Sequence, residues 1–209
     1  MTASTNRMTQ QQRRRRMRGR LIDATLDCLE DYGYHGASLS RILDRAGVSR
    51  GAWRHHYSSK KELIAAAARE RLFEGAIETA REMAPELTSE TDRLAPILDF
   101  IWERFYQGRY RNIWVELMVA CRSDTELRAA LIPLFHDLVD AMDEIWRVHF
   151  RTTATESVSV ETLMNLTLYL INGMGLQSIL HDNSDYYKTL RDQWTKMLTP
   201  LVQVRTHRQ

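Results

Sequence analysis

The sequence predicts an all-α fold of about nine helices, arranged as a small three-helix head and a larger helical body. Three observations carry this expectation. Apolar residues recur at helical spacing from Leu21 to Leu201, and no stretch of useful length alternates as a half-buried strand would. Gly and Pro are sparse, nine and four in 209 residues, so helices meet few breakers. The charge is also split: residues 1–60 hold 12 Lys and Arg against five Asp and Glu, while residues 61–209 hold 17 against 22. A basic head on an acidic body suits a polyanion-binding module joined to a part with another task.

The composition, 44% hydrophobic and 27% charged, is that of a globular protein long enough to bury a sizeable core. No apolar run approaches the roughly 18 residues of a membrane span, so no membrane partner is expected. The first residues are polar and basic without an apolar leader core. Cys28 and Cys121 lie far apart and lack metal-ligand spacing. They read as reduced core thiols of a cytoplasmic protein that needs no cofactor and no metal.

Residues 1–16 are expected to form a flexible basic arm. The run Arg13-Arg14-Arg15-Arg16-Met17-Arg18-Gly19-Arg20 reads either as a solvated tail or as a contact to phosphates or the minor groove. Its position directly before a helix favours the contact. That first helix spans about Met17 to Tyr32, with Leu21, Ile22, Thr25, Leu26, Cys28 and Leu29 as its apolar face and Gly33 as a left-handed cap.

The stretch Ser38 to Leu63, SLSRILDRAGVSRGAWRHHYSSKKEL, reads as two short helices and the start of a third. Ser38 is placed to cap a helix whose apolar positions are Leu39, Ile42, Leu43 and Ala46. Gly47 allows the tight turn, and Ser49 caps a second helix, Arg50 to His56, that is rich in hydrogen-bond donors. A helix-turn-helix presents such a row to the DNA major groove. Ser59 and Glu62 have capping-box spacing at the start of the third helix, and Lys60 in its first turn suits a phosphate opposite. The run Leu63 to Met83 then continues as a connector helix ending near Pro85.

In the body, Leu94 to Phe105, Ile113 to Cys121 and Leu127 to Phe150 carry helical apolar spacing, with Pro133 expected to bend the longest. Residues 151–158 are expected to be a polar loop, followed by helices at about Val160 to Leu180 and Tyr186 to Val202. The apolar stripes Leu163, Leu166, Leu170, Met174 and Leu190, Trp194, Met197, Leu201 exceed what one small bundle needs and suit a dimer interface. Gly173 and Gly175 would allow close helix approach. Trp102, Phe105, Tyr106, Trp114, Met118, Cys121, Met142 and Trp146 either line a ligand pocket or simply pack the core. Glu103 and Glu116 beside them either suit a cationic or hydrogen-bonding ligand or face solvent. His136 and Asp140, four apart, are too few to define a metal site.

Residues Arg18 to Ala68 resemble the DNA-binding domain of the TetR family of bacterial transcriptional regulators. The resemblance rests on Ile22-Asp23-Ala24, Tyr32-Gly33-Tyr34, Ile42, Ala46-Gly47-Val48-Ser49, Gly51, His55-His56-Tyr57 and Ser59-Lys60-Lys61-Glu62-Leu63. It implies a DNA-binding domain at 17–63, a connector at 64–84 and an effector-binding and dimerisation domain at 85–209. It further implies a homodimer bound to double-stranded DNA at a palindromic operator and released by a small-molecule effector. Carried over by position, Arg50, Gly51, Ala52, Arg54 and His55 face bases and backbone. His56 and Lys60 face phosphate, and Ser38 and Ser40 touch DNA from the preceding helix. Arg41, Ser49 and Trp53 complete the set. The family usually has an aromatic where this chain has Arg54 and an aliphatic where it has Trp53. Arg54 can pair with guanine or phosphate; Trp53 either packs beneath the helix or meets a thymine methyl.

The alternative is a regulator without a small-molecule effector, controlled by a protein partner or by abundance. A folded apolar cavity in the body separates the two. No Gly-rich phosphate loop and no Ser/His/Asp or Cys/His order supports an enzyme.

Overall fold

The computed structural model describes residues 9–90, 94–153 and 158–205. Residues 1–8 of the expected arm, and 154–157 of the expected loop, lie outside them. Ten α-helices and two short strands follow in order: α1 (Gln10–Gly36), α2 (Leu39–Ala46), α3 (Arg50–Trp53), α4 (Lys60–Ala68), α5 (Glu74–Glu90), α6 (Ala95–Phe105), α7 (Gly108–Ser123), α8 (Thr125–His149), β1 (Phe150–Thr152), α9 (Val160–Gln177), α10 (Ser184–Leu198) and β2 (Val202–Val204). A π-helical turn, Arg69–Phe73, joins α4 to α5 without a break, so the described residues form nine helical rods, as expected.

The chain divides into two compact units. The first comprises residues up to Glu70 together with Glu116–Leu131; the second comprises Arg71–Val115 and Ile132–Gln209. In the first, α1 packs on α2 and α4. Leu21, Ile22, Leu29, Ile42, Leu63 and Ile64 are fully buried between them. Each such side chain contributes about 1.5–3 kcal/mol of apolar burial. In the second, Leu98, Trp102, Ile145, Trp146, Phe150, Met164 and Leu198 centre the core.

Helix α1 starts seven residues earlier than the sequence suggested. Thr9 and Gln12 form a complete capping box: the Gln12 N–H donates to Thr9 Oγ1 at 3.2 Å and the Thr9 N–H to Gln12 Oε1 at 2.8 Å. Residues 10–16 are therefore helix, not a flexible arm. Arginine propagates a helix well, so a like-charged run need not be irregular once its first turn is capped. Gly33 ends the regular helix at φ 65°. Helix α3 is shorter than expected, although hydrogen-bonded turns continue through His55, His56 and Tyr57. Helix α5 runs through Pro85 to Glu90 and α8 through Pro133 to His149. The expected loop from 151 is corrected in its first residues, because β1 pairs antiparallel with β2, Phe150 opposite Val204 and Thr152 opposite Val202.

Candidate nucleic-acid interface and body cavity

The helix-turn-helix is set by local caps. The Ser38 hydroxyl accepts the Arg41 N–H at 3.3 Å, and the Ser49 hydroxyl accepts the Ala52 N–H at 3.3 Å. Gly47 closes α2 at φ 59°, a left-handed conformation that disfavours a side chain. A Cβ there would also lie 2.6 Å from Arg20 Nη2. The Arg20 guanidinium donates to the carbonyls of Ala46 and, at 3.0 Å, Gly47, placing a cation on the C-terminal end of the α2 dipole. Ile42, Leu43, Ala46, Val48 and Trp53 are buried beneath this turn.

What remains outside is a row of donors. Ser38, Ser40, Arg41, Ser49, Arg50, Gly51, Arg54 and His55 are exposed, while Ala52 and His56 are half-buried. Arg41 is braced from behind, donating to the Gly36 carbonyl at 2.7 Å with its guanidinium 4.5 Å from the Tyr32 ring centre. A cleft lined by Gln11, Arg14, Arg15, Arg18, His55, His56 and Tyr57 brings the α1 start beside the end of the recognition turn. Burial, then the charges of Arg14, His55 and Arg18, hold His56 below the usual imidazole value. Arg18 itself is paired with Glu70.

Two expected DNA contacts are corrected. Trp53 is only 4% exposed, so its indole packs under the helix and reaches no base. Lys60 turns its ammonium inward, donating to the Tyr34 carbonyl at 3.2 Å and lying 5.0 Å from that ring's centre. Burial lowers its pKa further. The capping box at α4 is shifted as well. The Ser59 hydroxyl accepts the Glu62 N–H at 3.1 Å, but Glu62 reaches back to Ser58, accepting its N–H at 2.7 Å and its hydroxyl at 2.6 Å.

A relation that sequence reasoning missed braces the entry to α2. Glu116 Oε2 accepts the Tyr34 N–H at 2.9 Å, and the Tyr34 hydroxyl donates to Asp124 Oδ2 at 2.7 Å. Lys61 pairs with Asp124 at 3.1 Å and with Glu126 at 2.8 Å. The Leu127 N–H, Tyr34 and Lys61 together hold the Asp124 carboxyl well below the usual carboxylate range. Burial and the Asp124 bond push the Tyr34 phenol up. These partners are 82 and 90 residues apart, beyond any local sequence signal.

The second unit holds a cavity of about 140 Å³ that is partly open at the surface. Of the eight residues expected to line a pocket, Phe105, Tyr106, Trp114, Met142 and Trp146 do so, joined by Phe100, Tyr110, Phe135, Leu138, Asn165, Tyr169 and Asn172 among others. Trp102 does not. It stacks on Tyr187 at 5.5 Å and lies 4.6 Å beneath Arg191, whose guanidinium pairs with Asp99 at 2.9 Å. Met118, 54% exposed, and the half-buried Cys121 belong to the first unit and line nothing here. The expected carboxylates are likewise elsewhere: Glu103 is exposed and Glu116 is bonded to Tyr34.

The eight residues expected at a dimer interface divide: Leu166, Leu170, Met197 and Leu201 are exposed, and the other four are turned inward. Leu163, Met174, Leu190 and Trp194 pack into the core of their own unit. Trp194 and Trp146 even spend their indole N–H groups there, on Thr167 at 3.1 Å and Asn165 at 3.2 Å. Tyr169 and Leu176 on α9 are exposed beside Leu166 and Leu170, as are Ile179 and Leu180 just after that helix. Gly173 lies in the same α9 stripe with open space above it.

A capped helix-turn-helix with an outward donor row, on an all-helical chain, defines a helix-turn-helix transcriptional regulator. Residues 21–67 match the model of the "Bacterial regulatory proteins, tetR family". The chain is 28% identical over 189 residues to the HTH-type transcriptional regulator CymR of Pseudomonas putida, covering 90% of this chain and 92% of that one. It is 33% identical over 107 residues to the HTH-type transcriptional repressor AcnR of Corynebacterium diphtheriae, 47% and 56% of the two chains. The fold matches the transcriptional regulator FadR of Bacillus subtilis in complex with stearoyl-CoA, at a TM-score of 0.65 and 17% identity over 87% of this chain and 97% of that one. Residues 21–67 thus form a domain of the tetR family of bacterial regulatory proteins.

Proposed function

We propose that this regulator is a cytoplasmic, homodimeric repressor that grips a palindromic operator through α2 and α3 and lets go when a small molecule fills the body cavity. The observation that carries the ligand-released reading, over control by a protein partner or by abundance, is the apolar cavity in the second unit. The relatives lend support: one is named a repressor, and FadR was solved with a bound acyl-CoA.

Recognition would rest on Arg50, Arg54 and His55 at base edges and on Ser38, Ser40, Arg41 and His56 at the backbone. One such helix distinguishes only a few base pairs, at about 1–3 kcal/mol per bidentate contact, which is too little to single out a site in a genome. Two copies reading half-sites about one helical turn or more apart supply the rest. The exposed stripe Leu166, Tyr169, Leu170, Gly173 and Leu176 is where a second copy would pack.

Release needs a helix that feels both the ligand and the head. Helix α7 qualifies. Trp114, in the cavity wall, stacks on Phe135 at 6.2 Å and meets Phe73 edge-on at 5.5 Å. Two residues further on, Glu116 holds the Tyr34 N–H at the approach to α2. A ligand that shifts α7 would move the support of the helix-turn-helix and bias a pre-existing equilibrium between head positions. The test is a gel-shift titration with a captured genomic fragment and the purified protein. Binding of one dimer to a symmetric site, reversed by a ligand that also raises the thermal midpoint, is the expected result. Binding that no cavity ligand alters contradicts the release step.

A further inference from the structure

The cavity wall specifies a chemical class of ligand more narrowly than "small molecule". None of the described residues lining it is Lys, Arg, His, Asp or Glu. A carboxylate or an ammonium inside would lose its hydration and find no counter-charge, a penalty of several kcal/mol. The size is equally restrictive. A cavity of about 140 Å³ is close to the engineered apolar cavity of about 150 Å³ that takes up benzene.

The polar atoms in the wall sort into committed and available ones. The Tyr110 hydroxyl donates to the Leu72 carbonyl at 3.2 Å. Asn165 accepts the Trp146 indole N–H at 3.2 Å and donates to Asp143 at 2.7 Å. The Tyr106 hydroxyl and the Asn172 amide, by contrast, have no hydrogen-bond partner among the described residues, although both residues line the cavity. Burial raises the Tyr106 phenol well above its usual value, so it stays protonated and can donate. With no partner among the described residues, this amide and hydroxyl are free to hydrogen-bond a ligand in an otherwise apolar wall.

We propose that the cavity takes an uncharged, single-ring molecule carrying one hydroxyl or carbonyl group, whose polar atom pairs with Tyr106 and Asn172 while its ring packs among Phe100, Trp114 and Phe135. As an effector assignment this deepens the ligand-released reading and rests on it; as a binding statement it stands alone.

The test separates the two. The full chain is titrated with para-ethylphenol, para-ethylbenzoate, para-ethylbenzylamine and ethylbenzene, following tryptophan fluorescence and the thermal midpoint. The phenol is expected to bind about tenfold or more tighter than either ion. Tyr106→Phe and Asn172→Ala should each weaken the phenol about three- to tenfold and leave ethylbenzene unchanged, a control that any folding defect would fail. Equal or tighter binding of the benzoate or the amine in the unaltered chain overturns the assignment, as does a phenol no better held than ethylbenzene. Adding the captured DNA fragment to the same titration reads the other claim. If the phenol binds in the stated order but frees no DNA, the class of ligand holds and the release mechanism fails.

Discussion

Glu116 accepts the backbone N–H of Tyr34 at 2.9 Å, and Gly33 is what lets it come so close. Gly33 sits at φ 65°, and a Cβ built there would lie 2.7 Å from Glu116 Oε2. Gly33→Ala therefore carries two penalties at once, a left-handed backbone and a displaced carboxylate. It should destabilise the fold by about 1–2 kcal/mol from the backbone alone. Urea denaturation checks this. Glu116→Gln, which keeps an acceptor oxygen, should stay close to the parent stability, whereas Glu116→Ala should lose ligand-dependent DNA release while still binding DNA.

Arg54 is exposed and its side chain pairs with none of the described residues, so it is available to DNA. Replacing it by Ala should weaken operator binding about ten- to a hundredfold without changing the oligomeric state. A gel-shift series on operators altered one base pair at a time shows whether the loss is confined to one position, as base reading requires. Unchanged affinity removes the assigned role.

The arginines of α1 should divide into two kinds. Arg14 and Arg15 line the basic cleft, so changing both to Gln should reduce the salt slope of DNA binding by nearly two. Arg20 caps α2, so Arg20→Gln should lower the melting temperature before it touches the salt slope.

His56 predicts a pH dependence. Burial and the charges of Arg14, His55 and Arg18 depress its pKa, so it is neutral at pH 7 in the free chain. A phosphate opposite favours the charged form, so binding takes up a proton and affinity rises as pH falls toward the depressed value of the free chain. One proton limits the effect to about tenfold per pH unit. Fluorescence anisotropy from pH 8 to pH 6 measures it, and His56→Gln should flatten the curve.

The head was legible because its determinants are local. Ser38, Gly47 and Ser49 cap and turn the chain within a few residues of themselves, and the structure uses all three in that way. Other features had no local sign. Lys60 looks like a phosphate ligand until Tyr34, 26 residues away, is seen to take its ammonium. β1 and β2 are three residues each and some 50 apart, too short for alternation to register. Helix α9 is apolar on several sides, with Leu163, Leu166, Leu168, Leu170 and Ile171 close together, so its periodicity marks a helix but not which face the core takes. Leu163 and Met174 therefore turn inward while Leu166 and Leu170 stay exposed. The cavity was half visible: four of the expected aromatic residues and Met142 line it, but Phe100, Phe135 and Asn172 join them only through the packing of α6, α8 and α9.

That outward α9 face gives a direct prediction. If two copies pair through α9 as proposed, Leu170→Asp, a charge in the middle of the exposed stripe, should leave monomers in sedimentation velocity at micromolar concentration. Each leucine lost from an interface removes about 1.5–3 kcal/mol per copy. Leu163→Ala, in the core, should lower thermal stability instead.

The account turns on symmetric DNA recognition, and sequencing the genomic fragments retained by the purified chain tests that most directly. The expected result is a small set of fragments sharing an inverted repeat, with half-sites about one helical turn or more apart, lost on Arg54→Ala. Fragments with no common motif, or with a single unrepeated half-site, would contradict it.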